Sequence, residues 1–138
     1  MFAAKMIELD EKLRRLHDQI EDGETSNLTT LSGELHALTE EYNLEQSAIR
    51  YRLQECKVPK IQALISMYND VQKQMHDAAE NDPNATWNEN AENTALLAEY
   101  ALDFAILSAD RALLLSLKAI KEQKEAASKE QVIIQQQK

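Results

Sequence analysis

Glycine and proline are nearly missing, with 2 of each in 138 residues, where average usage would supply about 16 of the two together. That scarcity excludes collagen-like and glycine-rich chains. It also leaves Rossmann, P-loop and sandwich folds without their turn residues. Valine is scarce as well, 3 against 18 Leu and 18 Ala, a balance that favours helix interiors and starves strands. Cys56 is the only cysteine, so neither an intrachain disulfide nor a cysteine-based metal site can form, and a reducing compartment fits. Positive charge is short too: 15 basic residues against 24 acidic ones, net −9. Residues 1–57 and 58–120 each carry −5, and 121–138 carry +1. With no basic stripe for a phosphate backbone or an anionic lipid surface, the chain is expected to bind neither nucleic acid nor membrane.

Long apolar runs are also lacking. The richest stretch, 95–120, is interrupted by Glu99, Asp103, Asp110, Arg111 and Lys118, each expensive in hydrocarbon, so a packed helix is expected there rather than a membrane span. The first twenty residues hold Lys5, Glu8, Asp10 and Glu11 where a secretory signal would be apolar. A cytoplasmic location follows as the expectation, and the sequons at Asn27 and Asn84 read as chance.

What is present is helical periodicity, since 43% of the residues are hydrophobic. Phe2, Met6, Leu9, Leu13, Leu16 and Ile20 form a heptad seam. On the outer face Glu8, Asp10 and Glu11 precede Lys12, Arg14 and Arg15 by four residues, the favourable order for helix-surface pairs. Asp22-Gly23 is expected to end this helix, with Thr25-Ser26-Asn27 capping the next. A second helix follows Leu28, Leu31, Leu35, Leu38, Tyr42, Ile49, Leu53 and Cys56, with Gly33 marking a place for close backbone approach. Val58-Pro59 breaks the ladder, as a corner in preference to a kink. A third seam runs through Ile61, Leu64, Tyr68, Val71, Met75 and Ala78 and stops at Asn81-Asp82-Pro83. The fourth helix opens either with Asp82 capping Pro83 or with a Thr86–Glu89 capping box.

That fourth helix carries two apolar stripes. One is Leu97, Tyr100, Phe104, Leu107 and Leu114; the other is Leu102, Ile106, Ala109, Leu113, Leu117 and Ile120. Two stripes imply contacts on two sides. Beyond Ile120 the seam thins, leaving a helical tail expected to fray unless held, with Val132, Ile133 and Ile134 as its apolar patch. The fold expected is all-α: a four-helix up-down bundle over 1–120, made of hairpins 1–57 and 58–120, with an extended C-terminal helix over 121–138.

Residues 34–45 match 92–103 at six of twelve positions, and His17-Asp18 with Glu21 matches His76-Asp77 with Glu80. The likeness is either a duplication of a helical hairpin or chance between helices rich in Leu, Ala and Glu. It places carboxylate pairs Glu41/Glu45 and Glu99/Asp103 at i,i+4. Four converging carboxylates could hold Mg²⁺ or Mn²⁺ against a nucleotide phosphate, but most of these acids fit a solvated face. No His has Glu three residues before it, so the di-iron pattern is absent. His17 and His76 read as helix C-terminal charges, Trp87 as a plug for the bundle end, and Tyr42 and Tyr100 as seam packing.

No catalytic, cofactor or metal residues are therefore assigned. The function expected is a non-enzymatic protein–protein interaction module, an adaptor, chaperone-like or structural subunit, that binds a protein partner or itself. A homodimer is expected, with Leu102, Ile106, Leu113 and Leu117, together with Val132, Ile133 and Ile134, as interface candidates. The rivals are a carboxylate-metal nucleotide hydrolase and an acidic inhibitor covering a basic site on a partner.

Overall fold

A computed structural model describes residues 2–137. Four helices account for nearly all of it: α1 Phe2–Thr25, α2 Leu28–Gln54, α3 Pro59–Ala78 and α4 Trp87–Gln136. No strand occurs among the described residues. The all-α class and the long C-terminal helix are those the sequence implies. The chain divides into two compact units, 1–74 and 75–138, with the boundary near the end of α3. No described side chain is fully buried in either.

In the first unit α1, α2 and most of α3 run antiparallel in succession. Helix α1 continues through Gly23 to Thr25 instead of stopping at Asp22-Gly23. The reason is local: Gly23 keeps a negative φ, so it does not supply the left-handed turn that ends a helix. Termination falls to side chains, the Thr25 and Ser26 hydroxyls both donating to the Asp22 carbonyl, at 3.2 and 2.7 Å. The close approach lies here, and not at Gly33. A Cβ on Gly23 would stand 3.3 Å from Leu31 Cδ2, whereas one on Gly33 would meet nothing within 4 Å.

Asn27 caps α2, its side chain accepting from the Thr30 N–H at 2.9 Å. The corner at Val58-Pro59 separates α2 from α3, with Pro59 as the first residue of α3, where its missing N–H is harmless. Val58 carbonyl accepts from both Ile61 and Gln62 N–H groups, and Gln62 Nε2 donates to the Cys56 carbonyl at 3.0 Å. Cys56 is half-buried at this corner, past the end of α2. Across the hairpin Tyr42 Oη donates to Gln72 Oε1 at 2.9 Å and Arg50 reaches Asn69 Oδ1 at 3.3 Å.

Charge sets the register of α1 on α2. Lys12 Nζ lies 2.8 Å from Glu45 and 3.5 Å from Glu41, and Arg15 Nη2 donates to Glu41 at 2.7 Å. The outer-face pairing expected for Lys12 with Glu8 and Arg15 with Glu11 gives way to these cross-helix contacts. Lys12 meets two acids of the neighbouring helix and Arg15 one at hydrogen-bond distance, each attracting its cation more than a single solvated acid one turn away. Being 30–57% exposed, the pairs are screened by solvent and add little stability; their value is in fixing the register.

In the second unit the loop after α3 is tied to the start of α4. Asp82 N–H donates to Asn90 Oδ1 at 3.0 Å, and Asn90 Nδ2 returns a bond to the Asp82 carbonyl at 3.1 Å. Asp82 Oδ1 accepts from the Asn84 N–H, a local turn that stops Asp82 from capping a helix at Pro83. Of the two openings expected for α4, the capping box is found: Thr86 Oγ1 accepts from Glu89 N–H at 3.1 Å, and Glu89 Oε2 accepts from Thr86 N–H at 2.8 Å. Trp87 then projects 89% exposed and plugs nothing.

Candidate interaction surface

Helix α4 holds 50 residues with neither Gly nor Pro, a rod of about 75 Å at 1.5 Å per residue. Residues 121–136 continue it without a break, and Gln137 N–H caps the end on the Ile133 carbonyl at 3.2 Å. At roughly 100° per residue, Leu102, Ile106, Leu113 and Leu117 fall on one face together with Ala109 and Ile120. Leu97, Tyr100, Phe104, Leu107 and Leu114 fall on the opposite face. Of the tail triplet, Ile134 extends the first of these faces, while Val132 and Ile133 extend the second. The seven interface candidates are thus split between two sides of one helix.

All seven are 51–62% exposed. The cause is in the makeup of their unit, which contains only the last turn of α3, the loop and α4. No second long helix belongs to it, so neither stripe finds a full-length mate there. A helix that is apolar on two sides is stable in water only when those sides are covered.

A separate apolar groove of about 530 Å³ opens between α2 and α3 in the first unit, lined among others by Ile49, Leu53, Ile61, Leu64 and Tyr68. Partial burial, reinforced by the neighbouring Tyr68, raises the Tyr42 phenol above its ordinary value. That phenol stays protonated and donates to Gln72. Tyr42, expected as seam packing, is instead nearly half exposed and fastens the hairpin through its hydroxyl.

The carboxylates of the weak repeat behave differently in the two helices. Glu41 and Glu45 are engaged by Lys12 and Arg15, and the Arg15 guanidinium, assisted by Lys12, holds the Glu41 carboxyl below the usual range. Glu99 and Asp103 have no ion pair among the described residues. Among those residues no three His, Cys, Asp or Glu side chains assemble into a group that could hold a metal ion. Each histidine faces a glutamate one turn on: His17 to Glu21, His36 to Glu40 and His76 to Glu80, at 3.2–4.0 Å on exposed surface. These are exposed surface pairs.

Reading apolar positions alone misses a charged edge on α4. Glu92, Glu99, Asp103 and Asp110 lie along one flank of the Leu102–Leu117 stripe, and Lys121 and Lys124 continue the same flank. Their spacing of seven, four, seven, eleven and three residues, each close to whole helical turns, is the signal that finds it. Over 87–110 the helix has 5 acidic and no basic residues; over 111–137 it has 5 basic and 3 acidic. No described helix is long and apolar enough to cross a membrane.

Compared with known protein families, characterised proteins and solved structures, the chain shows no match.

Proposed function

We propose that the protein is a non-enzymatic helical association module that self-associates as a homodimer through α4. One observation carries this reading: Leu102, Ile106, Leu113 and Leu117 stand more than half exposed on one face of a helix whose own unit provides no mate. Burying a Leu or Ile side chain completely is worth about 1.5–3 kcal/mol. Four such half-exposed residues, with Ile120, therefore offer several kcal/mol on association.

Size-exclusion chromatography with light scattering tests the reading. The expected mass is about twice the chain mass of 15.7 kDa, falling to one chain mass in Ile106→Asp/Leu113→Asp with helicity retained. A wild-type monomer at tens of micromolar removes it.

A further inference from the structure

We infer that the mate of α4 is the α4 of a second copy, packed antiparallel along the Leu102–Ile120 stripe. The inference rests on the association reading above and adds the partner, the direction and the residues that set it. Three features of the helix lead to it.

The first is the symmetry of the stripe. About a two-fold axis near residue 111, Leu102 falls opposite Ile120, Ile106 opposite Leu117, and the small Ala109 opposite the large Leu113. The stripe is its own complement when one copy is turned end for end, as an isologous dimer interface requires.

The second is the difference between the two flanks of the stripe. One flank is the charged edge, Glu92, Glu99, Asp103, Asp110, Lys121 and Lys124; the other carries Ala98, Ala105 and Ala112. In an antiparallel pair each flank faces the same flank of its partner, whereas in a parallel pair each faces the opposite flank. Parallel packing therefore sets Glu99, Asp103 and Asp110 against the alanine flank. Antiparallel packing sets charge against charge and lets the alanine flanks approach closely.

The third is the sign of those charges. Turned end for end, the acidic half of one edge meets the basic half of the other. Glu99 comes level with Lys124 of the second copy and Asp103 with its Lys121, and the two-fold axis repeats both pairs. Among the described residues Glu99 and Asp103 have no ion pair, and Lys121 pairs there with the exposed Glu125 one turn on, at 3.6 Å. Asp110, nearest the axis, is the one acid left facing its own copy. Complementary edges of this kind choose orientation more than they supply affinity.

The experiment uses the full chain with Cys56→Ser and one spin label, at Asn93 or at Ser108, and reads distances between copies. Antiparallel pairing predicts roughly 50 Å between labels at Asn93, from 18 residues on either side of the axis at 1.5 Å each, and about 20 Å at Ser108. In parallel, sedimentation of unlabelled protein should show the dimer dissociation constant rising about tenfold in Lys121→Glu/Lys124→Glu and in Glu99→Lys/Asp103→Lys. An equimolar mixture of the two variants should recover the wild-type value, and Asp110→Asn should tighten the dimer. Circular dichroism confirms that each variant keeps its helicity. A short distance at Asn93, or constants that ignore the charge changes, overturns the antiparallel pair and leaves self-association standing. A monomer at every concentration overturns both, with the stripe then belonging to a different protein.

Discussion

Gly33 and Gly23 show how a residue's surroundings decide what it is worth. Both sit in helical backbone with negative φ, so neither position needs glycine for its conformation. At Gly33 there is open space where a Cβ would go, and glycine in a helix interior costs about 0.8–1 kcal/mol against alanine. Gly33→Ala should raise stability by most of that amount, read as a higher urea midpoint at unchanged slope. A lower midpoint would mean that something crowds the position. Gly23→Ala should gain less, because its methyl group would push on Leu31 Cδ2 at 3.3 Å. Gln19 is the complementary case, its Oε1 shut off from solvent and without a donor among the described residues.

Between helices, the Lys12–Arg15–Glu41–Glu45 cluster makes the pairing of α1 with α2 depend on pH at both extremes. The hydrogen bond from Arg15, with its charge, lowers the Glu41 carboxyl below its ordinary value. The stability it contributes is therefore complete above the ordinary carboxylate value and lost as pH falls through the lowered one. The hydrogen bond to Glu45 outweighs partial burial and raises the Lys12 ammonium. Its contribution is complete below the ordinary lysine value and lost as pH rises through the raised one. The urea midpoint should thus be level between about pH 5 and 10 and fall on either side. Glu41→Gln should flatten the acid limb and weaken the alkaline one less, since Glu45 is the larger cause of the Lys12 shift, and salt should lower the plateau slightly. An acid limb unchanged in Glu41→Gln would assign the acid loss to other carboxylates.

At the scale of the whole molecule, folding and association draw on different surfaces. The tail from Lys121 is continuous with α4, yet every described residue in it is exposed. It adds little to either unit, while it holds Lys121, Lys124 and Ile134 on the side proposed to pair. A chain truncated after Ile120 should keep its unfolding midpoint at concentrations where both forms are monomeric, and should lose tenfold or more in dimer affinity. A large fall in the monomer's midpoint would place the tail within the folded unit instead. Above the dimer dissociation constant the full-length melting temperature should rise with concentration, because association stabilises only the folded chain.

How much of this was legible in the sequence differs with the range of the interaction. Seams, caps and breaks are local, set by residue spacing and by single side chains. Accordingly the four helices, the corner at Val58-Pro59 and the Thr86–Glu89 capping box can be read directly from the residues. So can the two apolar stripes of α4, although their exposure is seen only in the structure. Three readings depended on neighbours and came out differently. Lys12 and Arg15 turned from Glu8 and Glu11 to the acids of α2 because a second helix brought two carboxylates within reach. Trp87 found no bundle end to fill, and Gly33 no backbone to approach. By itself the sequence determined an all-α chain whose last and longest helix is apolar along two stripes, since periodicity and composition are properties of the chain alone. Which charges pair across helices, where backbones come close and which apolar faces stay open were decided only by the tertiary structure, because each depends on residues far apart in sequence meeting in space.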